Sequence, residues 1–289
     1  MATRNELIKK RYFVFFVLPL LAAFTVGFII PFIEGVWLSF CRFTVIDNAS
    51  FTGIKNYISA FGDKGFRAAL WFTVKTALVM VLLINTAGFV FAVILTREIK
   101  GTAVFRTVLF MPNLIGGIVL GYIWQIIINY VLSVVGAPLL ALNSTAGYWG
   151  IIILMCWQQI GYVMIIYIAA LQSIPDEMSE AAQIDGATYL QTLFKIKLPM
   201  LFSSIMICVF ITLTNAFKLF DQNLALTSGE PAHATEMLAL NIYNNFYARP
   251  GLMWRGIGQA KAVIFCIIVV MIACAQFRLT KEKDGEYNE

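Results

Sequence analysis

Charge is what this sequence has least of. Lys and Arg supply 21 of its 289 residues and Asp and Glu 16, so charged side chains make up 13% of the chain, where a soluble domain carries about 25%. At that density charge cannot cover a water-soluble surface, and no charged stretch is left from which a second, soluble domain could be built. Histidine is almost missing: His233 is the single one, so no Ser/His/Asp or Cys/His nucleophilic constellation can be assembled. No G-x-x-x-x-G-K-[ST] phosphate loop is present, which excludes a nucleotide site of that kind. The five cysteines, Cys41, Cys156, Cys208, Cys266 and Cys274, form no C-x-x-C pair and mostly lie inside apolar runs, so they read as small buried hydrophobes. The net charge of +5 is no sign of nucleic-acid binding, because cations retained on one side of a membrane give the same sum.

What is present is apolar. Hydrophobic residues make up 60% of the chain and gather into runs of about twenty, the length that crosses about 30 Å of hydrocarbon. Hydropathy predicts an all-α membrane protein with six spans at roughly 12–38, 70–95, 104–128, 149–172, 200–220 and 256–277. The first run is about twice as long as a signal-peptide core, so a retained helix is expected. With the N-terminus inside, twelve Lys and Arg fall in the inner connections and six in the outer ones, the latter including Arg42, Lys55, Lys64 and Arg67. Both termini, 1–11 and 278–289, are therefore expected in the cytoplasm. The chargeless outer connection 129–148 is expected to hold a short interfacial helix, and 221–255 a small polar structure in which His233 is a loop residue. Trp71, Trp149 and Trp254 at span ends read as interfacial anchors, and Lys75 as a snorkelling side chain.

The connection 173–199 is the most informative. Ser173 is a suitable N-cap, Pro175 fits a first helical turn, Glu177 and Glu180 share a face near the positive helix end, and Asp185-Gly186 supplies a stop. A second helical stretch follows until Leu198-Pro199 turns the chain back. The product is a compact, acidic helix-turn-helix offering Met178, Ala181, Ala182 and Ile184 to a partner groove; by the physics of these residues alone it reads as an ordinary amphipathic cytoplasmic loop.

The string Glu180-Ala181-Ala182, Asp185-Gly186-Ala187, then Ile196 and Leu198-Pro199 resembles the EAA signature of the membrane subunits of binding-protein-dependent ABC importers. Phe51–Tyr57, Phe110–Asn113 with Gly121–Trp124, and Phe217–Asp221 with Leu226–Pro231 resemble segments of the carbohydrate branch, the maltose and glycerol-phosphate type. Glu230 stands where that branch has a second glycine. The charged stretch after Arg278 differs from the ending usual in the second permease of such pairs, which implies the first subunit of a heterodimer.

The resemblance implies a type I importer permease fold over 12–277 in a bacterial cytoplasmic membrane. It implies no catalysis and no cofactor on this chain, with ATP and Mg on a dimer of partner ATPase subunits. The other implied partners are a second homologous permease, an extracytoplasmic solute-binding protein, and a sugar or oligosaccharide. The loop residues Glu177, Glu180, Ala181, Ala182, Asp185, Gly186 and Ala187 would form a coupling helix. Polar residues inside the spans are candidates for the substrate path: Asn113 beside the helix-breaking Pro112, Trp157, Gln158, Gln159 and Tyr162 in the fourth span, and Thr212, Asn215 and Lys218 at three-residue spacing in the fifth. Tyr162 and Thr212 match sugar-lining positions of the maltose-type relative by ungapped spacing from Glu180, and Asn215 falls one residue from such a position. Each of these residues has a competing reading as an interhelical hydrogen bond. Alternative functions are a permease for a glycerol-phosphate-like polyol ester and a six-span membrane enzyme. The enzyme lacks a base or metal partner for its acids, and ion coupling lacks intramembrane carboxylates.

Overall fold

The computed structural model describes residues 4–97, 100–249 and 253–286; the first three residues of the expected N-terminal segment and the last three of the tail lie outside the described residues. Backbone groups inside hydrocarbon must be satisfied within their own segment, and these apolar runs meet that demand as helices. Among the described residues five helices are long and apolar enough to cross a membrane: Tyr12–Leu38, Lys64–Leu95, Gly117–Val134, Ser144–Gln172 and Trp254–Gln276. The sixth expected span is a pair, Tyr189–Met200 and Phe202–Phe217, bent by 70°.

In chain order, α1 (Arg4–Phe24) passes through a π-helical stretch into α2 (Ile30–Leu38). An antiparallel hairpin follows, β1 (Cys41–Arg42) with β2 (Ser50–Phe51), then α3 (Lys55–Gly62) and α4 (Lys64–Leu95). Helix α5 (Thr102–Phe110) is separated from α6 (Gly117–Val134) by a 3-10 turn at Met111–Leu114. Next come α7 (Ser144–Gln172), α8 (Asp176–Ile184) and α9 (Tyr189–Thr192), a π-helical stretch Leu193–Lys197, α10 (Leu198–Met200) and α11 (Phe202–Phe217). The chain finishes with α12 (Asp221–Leu226), α13 (Leu238–Tyr247) and α14 (Met253–Glu286), so the described part of the tail is a continuation of the last helix.

Three local expectations need correction. The third span breaks at Pro112 as expected, in a 3-10 turn, but its apolar helix begins only at Gly117 and runs on to Val134 in place of 104–128. The chargeless connection therefore contains the end of α6 and a three-residue 3-10 turn, Leu140–Leu142, in place of a separate short helix. Nothing before Gly136, at φ +68°, obliges α6 to stop. The fourth span starts earlier than expected, at Ser144, because the Asn143 carboxamide oxygen accepts the Ala146 N–H at 3.0 Å as an N-cap.

The chain divides into two compact units, Met1–Asp63 with Ile242–Phe265, and Lys64–Asn241 with Cys266–Glu289. In the first, a small core of Leu38, Cys41 and Phe43 packs with Ala49 and Phe246. Gly256 lies so close to the Cys41 carbonyl that a Cβ there would overlap it. Lys261 is fully buried in α14 with Nζ 2.6 Å from Oδ2 of Asp63, which also pairs with Arg249 at 3.2 Å. The Arg249 guanidinium covers the half-buried Trp254 ring at 4.5 Å.

In the second unit α4 packs along α7 and against α11, and α5 on α7, over Met80, Ile84, Leu154, Met155 and Met164, all at most 1% exposed. Gly88 meets Val163 and Met164, and Gly161 meets the Leu109 backbone, the close approach that small residues allow between helices in lipid. Trp71 and Trp149 are exposed, and the Lys75 ammonium lies 4.5 Å over the Tyr148 ring.

Candidate functional site

The loop between α7 and α11 is built by capping. Ser173 closes α7, its N–H reaching Ala169 O at 3.1 Å; it is not the N-cap of the next helix, as expected from sequence. That place belongs to Pro175, at φ −59° and ψ 135°, because an X-Pro step disfavours continuing the helix through Ile174. Asp176 and Glu177 occupy the first turn of α8, where the helix dipole favours carboxylates. At the other end Gly186 sits at φ +80°, its N–H bonded to Gln183 O at 3.0 Å and that of Ala187 to Ala182 O at 2.9 Å. This paired closure requires a left-handed residue at Gly186, which explains the Asp185-Gly186-Ala187 string physically. Thr188 and Gln191 then form a capping box, with Thr188 N–H to Gln191 Oε1 at 2.8 Å and Gln191 N–H to Thr188 Oγ1 at 3.4 Å. The T-x-x-Q spacing was the available signal for it.

Around α8, Glu177, Met178, Glu180, Ala181, Ile184, Asp185 and Gly186 are exposed, Ala187 is half-buried and Ala182 is 6% exposed. Ala182 therefore packs on its own chain, whereas the sequence reading offered it to a partner. The chain also does not turn at Leu198-Pro199 but two residues later, by the 70° bend next to Leu201. The π-helical stretch before Pro199 accommodates a residue that has no N–H to give. Arg97, at the end of α4, lies 4.6 Å over the Tyr189 ring and ties α9 to that helix.

A second feature lies in the bundle. Asn113, Gln158, Gln159, Asn215, Lys218 and Gln222 line one cavity of about 270 Å³ together with Met155 and Leu219. The break at Pro112 presents Asn113, α7 the two glutamines, the end of α11 Asn215 and Lys218, and α12 Gln222. The amides are chained: Gln222 Nε2 donates to Gln158 Oε1 at 2.8 Å, Gln158 Nε2 to Ile115 O at 3.3 Å, and Asn215 Nδ2 to Gln159 Oε1 at 3.4 Å. Gln222 was absent from the sequence candidates, although it directly follows the Phe217–Asp221 element.

Three expected path residues stand elsewhere. Trp157 is exposed with its ring 5.6 Å from that of Trp124, and Tyr162 is half-buried without lining the cavity. Thr212 is buried in a helix-joining network: its hydroxyl donates to Cys208 O at 2.7 Å and accepts from Asn85 Nδ2 at 3.2 Å, while Tyr167 OH donates to Asn85 Oδ1 at 2.9 Å.

Beyond the cavity, the fully buried Asn223 organises the loop between α12 and α13. Its amide donates to Thr227 Oγ1 and Thr235 O, and its oxygen accepts from Met237 N–H at 2.9 Å. Glu230, in place of a glycine, accepts the Ala232 N–H at 2.8 Å, and Thr235 Oγ1 donates to its carbonyl at 2.7 Å, so the turn keeps its closure through side chains. His233 Nδ1 lies 3.5 Å from the buried Glu236, and among the described residues no cluster of three or more His, Cys, Asp or Glu could hold a metal ion.

Broken apolar helices around a hydrogen-bonding cavity, with a capped acidic helix carried on the loop between two of them, define a multi-pass membrane component for moving a solute. The chain belongs to the family of binding-protein-dependent transport system inner membrane components, whose profile matches residues 86–280. It is thus a transporter permease subunit and not an enzyme. It is 38% identical over 280 residues, 94% of each chain, to the probable starch degradation products transport system permease AmyD of Thermoanaerobacterium thermosulfurigenes. It is 33% identical over 291 residues, 98% of this chain and 99% of the relative, to the multiple sugar-binding transport system permease MsmF of Streptococcus mutans. In fold it is similar, with a TM-score of 0.81 at 18% identity over 97% of this chain and 99% of the other, to a chain of a bacterial ABC transporter that imports the acidic polysaccharide alginate.

Proposed function

We propose that this chain forms part of the translocation path for a sugar or oligosaccharide in an ATP-driven importer. The observation that carries the cargo reading is the cavity, where five carboxamides and one ammonium converge without a carboxylate among the lining side chains. Uncharged donors and acceptors at that density suit the many hydroxyls of a saccharide, and the names of the relatives AmyD and MsmF point to the same cargo class. Trp157, Tyr162 and Thr212 serve this reading as supports of the helices that carry the cavity.

In this proposal α8 is the coupling helix. Its exposed Glu177, Glu180 and Asp185 accept hydrogen bonds or Arg contacts from one subunit of an ATPase dimer, which holds the ATP and Mg. A second, similar permease completes the path, a solute-binding protein delivers the sugar from outside, and both termini face the cytoplasm.

Uptake of labelled sugar by the reconstituted importer, with ATP hydrolysis recorded in parallel, tests both parts. Gly186→Val and Glu180→Lys are expected to leave the chain inserted and ATP hydrolysed while uptake falls at least about tenfold; Gly186→Asn, which tolerates φ > 0, should retain it. Normal uptake in Gly186→Val would remove α8 from the coupling role. Gln158→Leu removes both the bond to Ile115 and the acceptor for Gln222, and uptake is expected to drop at least about tenfold, since each hydrogen bond contributes about 1 kcal/mol. Unchanged uptake in that variant would place the path elsewhere.

A further inference from the structure

The outer set of cations is unusually large for a connection that should be poor in them, and Arg42, Lys55, Lys64 and Arg67 are all exposed. The same stretch carries an unusual apolar surface. Trp37, Val45, Ile46, Phe51, Ile54, Ile58 and Phe61 are each between 57% and 65% exposed. Ile54, Ile58 and Phe61 recur along one face of α3 at helical spacing, and the Trp37 and Phe51 rings stack at 5.6 Å and 18°.

The opposite face of these elements is fastened to the protein. Asn56 and Ala60 of α3 are buried, and Asn56 Nδ2 donates to Ser39 O and Cys41 O, both at 2.9 Å. The Ser39 and Tyr57 hydroxyls lie 2.6 Å apart. So the apolar side chains do not point outward for want of structure; the fold holds them there. The chain leaves a candidate span at Leu38 and enters the next at Lys64, which tethers both ends of this stretch to one membrane surface. Seven large apolar side chains this exposed within 25 residues of sequence are unusual for a surface that faces water.

We propose that the hairpin and α3 form an interfacial anchor. The Ile54, Ile58 and Phe61 face and the Trp37–Phe51 stack enter the headgroup and acyl boundary of the leaflet at which the first span ends. Arg42 and Lys55 meet phospholipid phosphates there, which accounts for their retention. An in-plane amphipathic helix with aromatic and aliphatic side chains below and Lys or Arg at its rim has this physical signature. The proposal rests on the multi-pass topology and is independent of the cargo.

Nitroxide accessibility in the complete importer, reconstituted in vesicles of phosphatidylethanolamine and phosphatidylglycerol, tests it. Ile58→Cys, Phe61→Cys and Lys55→Cys are labelled in a background whose native cysteines are replaced by alanine and which still assembles into the importer. Labels at Ile58 and Phe61 are expected to collide with oxygen roughly threefold more than with an aqueous nickel chelate, and the label at Lys55 to show the reverse order. Strong collision with the nickel chelate at Ile58 and Phe61 overturns the proposal in favour of open solvent. Protection from both reagents overturns it in favour of coverage by the second permease or the binding protein.

Discussion

Gly161→Ala is expected to destabilise the folded protein by about 3 kcal/mol and to lower its melting temperature. The backbone of Leu109 and Phe110 passes directly over Gly161, and a Cβ there would overlap the Leu109 carbonyl and the Phe110 nitrogen. A backbone neighbour cannot rotate away as a side chain can. Separating α5 from α7 would disturb the turn that carries Asn113. Overpacking costs about 1–3 kcal/mol where side chains can yield, and the cost is expected at the upper end of that range here, against a total stability of about 5–15 kcal/mol. Gly27→Ala is the control, since nothing lies within 4 Å of a Cβ at Gly27. Size-exclusion profiles and thermal melting of the solubilised variants give the comparison. A monodisperse Gly161→Ala protein with an unchanged melting temperature would show that α5 and α7 are not pressed together in this way.

Asp63→Asn is expected to have an effect at least as large. Lys261 is fully buried with its ammonium 2.6 Å from the Asp63 carboxylate, and removing one partner of a buried pair costs about 3–5 kcal/mol. Arg249 shares the same carboxylate oxygen, so one substitution takes that carboxylate from both cations. The double variant Asp63→Asn/Lys261→Met should recover much of the loss, because it removes the buried ammonium together with its counter-ion. A double-mutant cycle on melting temperatures, converted at matched conditions, reads the coupling. Additive effects would mean that the pair contributes nothing beyond its separate parts. The apolar helices would still insert, so the expected defect is in the association of α14 with the α3 segment rather than in targeting.

Both predictions concern residues that the sequence did not single out for their neighbours. Gly161 is one small residue in an apolar run, and Lys261 one cation in another. Their importance arises from segments distant in sequence, Leu109 for the first and Asp63 for the second. The α8 loop is the opposite case. Its closure at Gly186 and its acidic face follow from adjacent residues, and the structure changed the cap, from Ser173 to Pro175, the orientation of Ala182 and the place where the chain bends, from Leu198-Pro199 to Leu201. Span five lies between the two. Thr212, Asn215 and Lys218 share a spacing, yet Thr212 joins Asn85 and Tyr167 while the other two reach the cavity.

By itself the sequence determined the medium and the local elements. Runs of apolar residues can satisfy their backbone in lipid only as helices, and caps, prolines and glycines act within a few residues of themselves. That was enough for the spans, for the interruption at Pro112 and for the EAA loop. Only the tertiary structure decided which polar side chains face one another. In a helix that is apolar on every side, no stripe marks the inward face, so its rotation is set by contacts with other helices. Those contacts joined Asn113, Gln158, Gln159, Asn215 and Lys218 with Gln222 in one cavity, turned Trp157 toward Trp124, and buried Lys261 against Asp63.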